Sequence, residues 1–279
     1  MLSNPQNRKL GRTLPILLLP LALPLILAAC SGSSSGSGGG SDPVATSATA
    51  TTSGSGSAPT TKSAASGKGS GQSGSGTVSG SGGCAANGTK VPSGAGQAPS
   101  PDLDHDGKRD QVWLADSGTT RRLGVHTASG ATFSTTFDSA APQAASAIGQ
   151  RLGDGSEIIL LNTGRSVQLY AVVGCKIQIS KNAQGQQYSF DLGFTGFGTG
   201  VRCVDSGRGL QVAGMLAEPK AGKYNVYQTR IALSDSGREA RNIARQTLAT
   251  KASAGNTVVK SAQGVSCGAG NPGAQEPQG

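Results

Sequence analysis

The stretch "PDLDHDGKRDQVW", residues 101–113, sets aspartates at positions 102, 104, 106 and 110 around Gly107 and then runs into the apolar Val112-Trp113-Leu114. Hard oxygen donors at alternating positions, a glycine where the loop turns sharply and a main-chain carbonyl at Lys108 form a donor pattern suited to calcium. Counted from Asp102, the twelfth position is Trp113, where a helix–loop–helix calcium hand carries a bidentate glutamate. The loop therefore leads into a strand, and the helical calcium hand is a poor fit. A cation-free reading stands beside it, in which the aspartates accept backbone N–H groups within an acidic turn.

Outward from this loop, short runs of strand character cover 111–115, 123–127, 131–137, 158–161, 167–173, 176–180, 188–192, 210–216 and 224–233. Glycine, serine, asparagine and aspartate separate them, and several alternate apolar with polar residues as half-buried antiparallel strands do. This predicts an all-β domain. One segment argues for a short helix: Ser236 and Glu239 have capping-box spacing ahead of Ile243 and Leu248. The turns also recur about every 50 residues. Asp106-Gly107 with the residues up to Trp113 aligns with Asp154-Gly155 up to Leu160, and more loosely with Asp205-Ser206-Gly207 up to Val212.

The D-x-D-x-D-G-x-x-D turn leading into an apolar strand resembles the FG-GAP or VCBS-type repeat of integrin-like β-propellers, as found in bacterial repeat lipoproteins. The resemblance spans residues 84–268 and is specific at 102–113. It implies about three to four antiparallel blade-like repeats, forming a small or incomplete β-propeller. It also implies a structural calcium ion held by Asp102, Asp104, Asp106, the Lys108 carbonyl and Asp110. Three blades' worth of chain is present. Either Asn256 to Cys267 completes a fourth by pairing with the segment after Cys84, or the sheet array stays open and is held by disulfides.

The N-terminus has a different character. Arg8, Lys9 and Arg12 precede an apolar run from Leu14 to Leu27 that is interrupted by three prolines, and the run closes on Leu27-Ala28-Ala29-Cys30. This predicts a lipoprotein signal peptide over 1–29, with Cys30 as the lipidated residue after cleavage. The expected location is the extracytoplasmic face of the cell membrane, with the membrane itself as a partner through the lipid anchor. Residues 30–83 are Ser, Gly, Thr and Ala with almost no large apolar side chain, the composition of a disordered tether. As a flexible linker it spans on the order of 40 Å. The β-repeat domain is then expected over 84–269, with a disordered tail over 270–279.

The formal charge of +9 falls to +6 once the three basic residues of the leader are removed. That excess could favour anionic envelope polymers, with Arg238, Arg241, Arg245 and Lys251 the densest basic run. No aromatic residues interleave that run, so nucleic acid is not an expected partner. Four cysteines remain besides Cys30, with no C-x-x-C pair and no zinc spacing, and they predict two disulfides in an exported domain. Of the three possible pairings, Cys84 with Cys267 and Cys175 with Cys203 is the expectation.

Catalysis has few candidates. His105 lies inside the acidic loop and His126 in a strand, and each reads as structural. Asp154 with Glu157, and Asp191 with Asp205, could form the carboxylate pair of a glycosidase, or be remnants of the repeat turns. Phe194 and Phe197, in a glycine-rich loop, could form a ligand surface or pack over the disulfide near Cys203. The expected function is a non-catalytic structural or interaction role in the cell envelope, toward an anionic polymer or another envelope protein. The alternatives are a carbohydrate-active hydrolytic enzyme and a binding module for anionic envelope glycans.

Overall fold

The computed structural model describes residues 82–139 and 141–278. The leader, Cys30 and all but the last two residues of the tether lie outside the described residues. The domain is all-β, built from three antiparallel meanders of four strands. The first sheet comprises β1 (Gly96–Pro99), β2 (Gln111–Asp116), β3 (Arg121–His126) and β4 (Thr132–Phe137). The second comprises β5 (Ser146–Arg151), β6 (Glu157–Asn162), β7 (Ser166–Val172) and β8 (Ile177–Ile179), with β9 (Ser189–Asp191) paired to the first half of β7. The third comprises β10 (Gly200–Asp205), β11 (Leu210–Lys220), β12 (Lys223–Ser234) and β13 (Glu239–Ala252). Each of the three turns aligned in the sequence falls between the first and second strand of its meander. None of the sheets closes into a barrel.

The second sheet organises the core. Ile158, Ile159, Leu160 and Leu161 of β6 are all fully buried. Ile159 and Leu161 pack with Val112, Leu114, Leu123 and Val125 of the first sheet. Ile158 and Leu160 pack with Val201, Val212 and Ile231 of the third. A strand covered on both faces needs apolar side chains at consecutive positions, which is why this run does not alternate. Each such side chain contributes about 1.5–3 kcal/mol by leaving water. In the first sheet Trp113 faces Gly124 across the β2–β3 ladder. A Cβ on Gly124 would lie 2.0 Å from the indole, so only glycine admits that ring.

Four expectations are corrected. The segment after Ser236 is not a helix. Asp235, Ser236 and Gly237 all take positive φ in a tight turn, and Glu239 accepts a hydrogen bond from the Ser234 hydroxyl at 3.0 Å, so the capping spacing is used in a hairpin. The chain then forms the 14-residue β13, paired along β12.

Residues 256–267 do not pair with the segment after Cys84. Asn256 instead caps a five-residue helix α1 (Thr257–Ser261), accepting the Val258 N–H at 2.9 Å. The chain then lays β14 (Val265–Ser266) parallel to β10.

The disulfides are Cys84–Cys175 and Cys203–Cys267, with Cα–Cα distances of 5.7 and 4.5 Å. The parallel register of β14 on β10, Val201 opposite Val265 and Arg202 opposite Ser266, puts Cys203 beside Cys267 and decides the pairing. Cys175 sits in the two-residue β7–β8 turn and links the second sheet to the start of the domain. The bridges close 91 and 64 residues of chain, and a chain-entropy account gives each about 4–5 kcal/mol.

Residues 271–278 carry β15 (Ala274–Gln275), which pairs with β5, so this stretch is part of the fold and not a disordered tail. Glu276 is buried; it accepts hydrogen bonds from the Arg121 guanidinium of the first sheet and from the Ala145 N–H at 2.8 Å ahead of the second. A polar, glycine-rich composition hid this acid, whose partner is 155 residues away. Glu276→Ala is expected to lower unfolding free energy by about 2–4 kcal/mol, discounted for the partial exposure of Arg121. Chemical denaturation of the full chain measures this, and an unchanged midpoint would return the tail to a passenger.

Candidate metal centre and aromatic cleft

The acidic loop between β1 and β2 is folded around its own carboxylates. Asp102 accepts the N–H groups of Asp104 at 3.2 Å and Gly107 at 2.9 Å. Asp104 accepts from Asp106 N at 3.3 Å, from Cys84 N at 2.7 Å and from the Ser129 hydroxyl at 3.2 Å. Asp106 accepts from Lys108 N at 2.7 Å. One oxygen from each of Asp102, Asp104 and Asp106 lies within 4.8 Å of the others. Among the described residues, no lysine, arginine or histidine forms an ion pair with any of the three. Such a cluster of hard, negatively charged oxygens fits a cation that takes carboxylate ligands. The chain crosses close above it: a Cβ on Gly83 would lie 2.6 Å from an Asp104 carboxylate oxygen.

Asp110 stands apart from this set. It is buried, and its two oxygens accept the main-chain N–H groups of Leu103 at 2.7 Å and Ala128 at 3.0 Å. It staples the loop to the β3–β4 turn. Burial pushes its pKa above the ordinary aspartate value, those two hydrogen bonds oppose the rise, and the charges of Asp104 and Asp102 add to it. Lys108 is exposed, and its N–H serves Asp106.

His105 takes a positive φ of 65° and reaches out of the cluster. Its Nε2 lies 3.1 Å from Glu157 at the start of β6, and Glu157 also meets Arg151 at 3.3 Å. The loop is thereby tied to the second sheet. His126 pairs with the Thr132 hydroxyl at 2.8 Å within the first sheet. The carboxylates considered for hydrolysis serve turns: Asp154 accepts Ser156 N at 2.9 Å, and Asp205 accepts Gly207 N at 2.8 Å.

Asp191 has a larger task. Its carboxylate accepts the N–H groups of Phe194, Thr195, Phe197 and Gly198 at 3.0–3.4 Å, so the glycine-rich loop wraps around it. Burial raises its pKa, but hydrogen bonds from Thr195, Phe194 and Gly198 outweigh burial and hold it below the ordinary value. The wrapped loop presents Phe194 and Phe197 at 61% and 88% exposure, which rules out packing over the Cys203 disulfide. The Arg165 guanidinium lies over the Phe194 ring at 5.3 Å.

Phe197 borders a cleft of about 180 Å³ between β9 and the middle of strands β11, β12 and β13 of the third sheet. The register there aligns Gly214, Thr229 and Arg245 in one row across β11, β12 and β13. Arg245 stacks on Tyr227 at 4.1 Å from the ring centroid. Tyr188 donates its hydroxyl hydrogen to Asn242 Oδ1, and burial pushes the phenol up to about 12. The basic run does not act as one patch. Arg238 pairs with Asp235, and positions 238 to 251 are spread over roughly 40 Å of extended chain. Tyr188 and Asn242 were missed as site residues because a helix was expected where β13 brings Asn242 and Arg245 to the cleft.

No family model, curated protein or solved structure matches this chain.

Two outcomes follow from the loop. Asp110→Ala leaves two main-chain donors without acceptors and is expected to cost about 2–5 kcal/mol. Asp106→Asn keeps an acceptor for Lys108 N and should leave stability in chelator almost unchanged. Denaturant titration of both variants checks the contrast.

Glu157 contributes one part of the pH dependence, in the same sense as Asp110 and opposite to Asp191. Burial raises its pKa above the ordinary glutamate value, with His105 and Arg151 acting in the opposite sense. A carboxyl whose folded pKa is raised contributes stability that is complete below its unfolded pKa and is lost as pH rises through the folded one. Unfolding midpoints should therefore fall as pH climbs through that window, and Glu157→Gln should remove its share of the fall.

Proposed function

We propose that this chain is an envelope lipoprotein, anchored through Cys30, whose β-domain plays a non-catalytic structural or interaction role and is braced by calcium at Asp102, Asp104 and Asp106. The observation that carries this reading is where the acidic loop makes its contacts. Asp104 meets the first residues of the domain at Cys84 and the β3–β4 turn at Ser129, while His105 meets β6. A cation neutralising three neighbouring carboxylates at that junction would tighten the domain start, the first sheet and the second sheet together. The FG-GAP or VCBS-like resemblance is supported by the equal placement of the three aligned turns, each between the first and second strand of a meander. The anchor rests on the Leu27-Ala28-Ala29-Cys30 sequence.

Thermal unfolding of the full chain in excess calcium and in chelator tests the brace. A ligand that prefers the native state stabilises it by about 2.7 kcal/mol at one hundred times its Kd. The melting temperature should rise with calcium, and Asp106→Asn should abolish the rise. Identical melting in calcium and chelator would reject the cation role. Cys30→Ser should shift the protein from the membrane fraction to the soluble fraction of fractionated cells, and retention in the membrane fraction would reject the lipid anchor.

A further inference from the structure

We propose that the cleft beside Phe197 binds one acidic sugar ring of a glycan, an assignment that rests on the interaction role above and gives it a ligand. At about 180 Å³ the cleft is smaller than the roughly 300–1,000 Å³ pockets that engulf drug-sized ligands. It has room for a single ring, and the rest of a longer chain would continue into solvent.

Its lining combines two chemistries. It includes Phe197 and Tyr188, the first almost fully exposed. An aromatic face offers apolar contact area with few rotatable bonds, which suits the C–H face of a pyranose. It also includes Thr229, Asn242 and Arg245. Asn242 Oδ1 already accepts the Tyr188 hydroxyl, so what the amide still offers is its NH₂ donors. Arg245 offers guanidinium donors, and among the described residues no carboxylate pairs with it. The carboxylate in the cleft wall, Asp191, is engaged by the N–H groups of its own loop.

The cleft therefore sets the Arg245 guanidinium, with which no carboxylate pairs among the described residues, beside the Thr229 hydroxyl and the Asn242 amide, while the Asp191 carboxylate is occupied by its own loop. A neutral sugar would satisfy Thr229 and Asn242 but leave the guanidinium, stacked on Tyr227, without an anionic partner. A ring bearing a carboxylate or phosphate supplies the acceptor that Arg245 recognises best. The loop is also held before binding, because Asp191 fixes four of its N–H groups. Phe197 then meets a ligand without a large ordering cost.

The test uses purified full-length chain and isothermal titration with three probes: a glucuronate-containing hexasaccharide, the same hexasaccharide with its carboxyls reduced to alcohols, and a phosphate-bearing oligosaccharide of similar length. Binding of either acidic probe, at least about tenfold tighter than the reduced one, is expected, and the stronger of the two identifies the acid. Phe197→Ala should weaken it by about tenfold or more, whereas Phe194→Ala, outside the cleft, should not. Arg245→Gln should erase the preference for the acidic probe over the reduced one.

Equal affinity for acidic and reduced probes, no binding by any of them, or full binding by Phe197→Ala would each overturn the assignment. Binding to anionic phospholipid vesicles that depends on Phe197, in the absence of oligosaccharide binding, would overturn it in favour of membrane insertion. Calcium-dependent melting is recorded on the same samples. Its retention alongside failed glycan binding rejects the cleft alone, and its loss alongside retained glycan binding rejects the brace alone.

Discussion

The central strand of the middle sheet, β6, has no face left for water, and the rest of the molecule is arranged around that constraint. The run Ile158 to Leu161 sends alternate side chains into two separate cores, one shared with the first sheet and one with the third. A surface covered on both sides cannot host a polar site without an unpaired buried group, which costs about 1–3 kcal/mol or more. Polar chemistry is thereby displaced to the turns and to the places where sheets part. The acidic loop lies in the first of these settings and the Phe197 cleft in the second.

Within the acidic loop, electrostatics divides the labour among residues that look alike. Asp110 faces inward and spends both oxygens on main-chain donors, so it is a structural carboxylate. Asp102, Asp104 and Asp106 each satisfy local N–H groups and still converge, at the cost of mutual repulsion. Partial positive charge on the N–H groups offsets some of that repulsion without a cation. The loop can therefore hold its shape before any metal arrives, and a metal would add charge balance more than conformation. That distinction explains why an acidic turn and a cation brace, rivals in the sequence, are compatible in the fold.

The sequence reveals strands wherever burial is uneven. β2, β3, β7 and β12 alternate or run apolar between glycine-rich turns, and their positions were legible to within a few residues. β5 was not, because Ala147 and Gly149 are small where sheets approach closely; a Cβ on Gly149 would meet Val112 at 2.7 Å. β13 was misread for the opposite reason. As an edge strand it is exposed along most of its length, so its residues carry no period, and only the ladder with β12 fixes them. The cysteine count pointed to two bridges, but the partners depend on the parallel register of β14. The three converging aspartates were legible because calcium-type spacing is local. Asp110 stands outside that trio, accepting the N–H groups of Leu103 and Ala128, the latter 18 residues on, which local spacing does not reveal.

The cleft owes its existence to a mismatch in strand length between neighbouring sheets. β9 has three residues, whereas β11 and β12 have eleven and twelve. Where the short strand ends, the second sheet no longer covers the third. Met215, Leu216 and Tyr227 stand in the middle of β11 and β12 beside that point. Two devices cover this stretch: α1 packs Val259 against Met215 on one face, and the loop wound on Asp191 leans over the other. The second cover is incomplete, because a loop held by one carboxylate presents glycines and two outward phenylalanines in place of a packed strand. A cleft that combines aromatic rings with Asn242 and Arg245 is thus a direct consequence of ending β9 early. The loop that leans over these strands is also the one that exposes Phe194 and Phe197 to solvent.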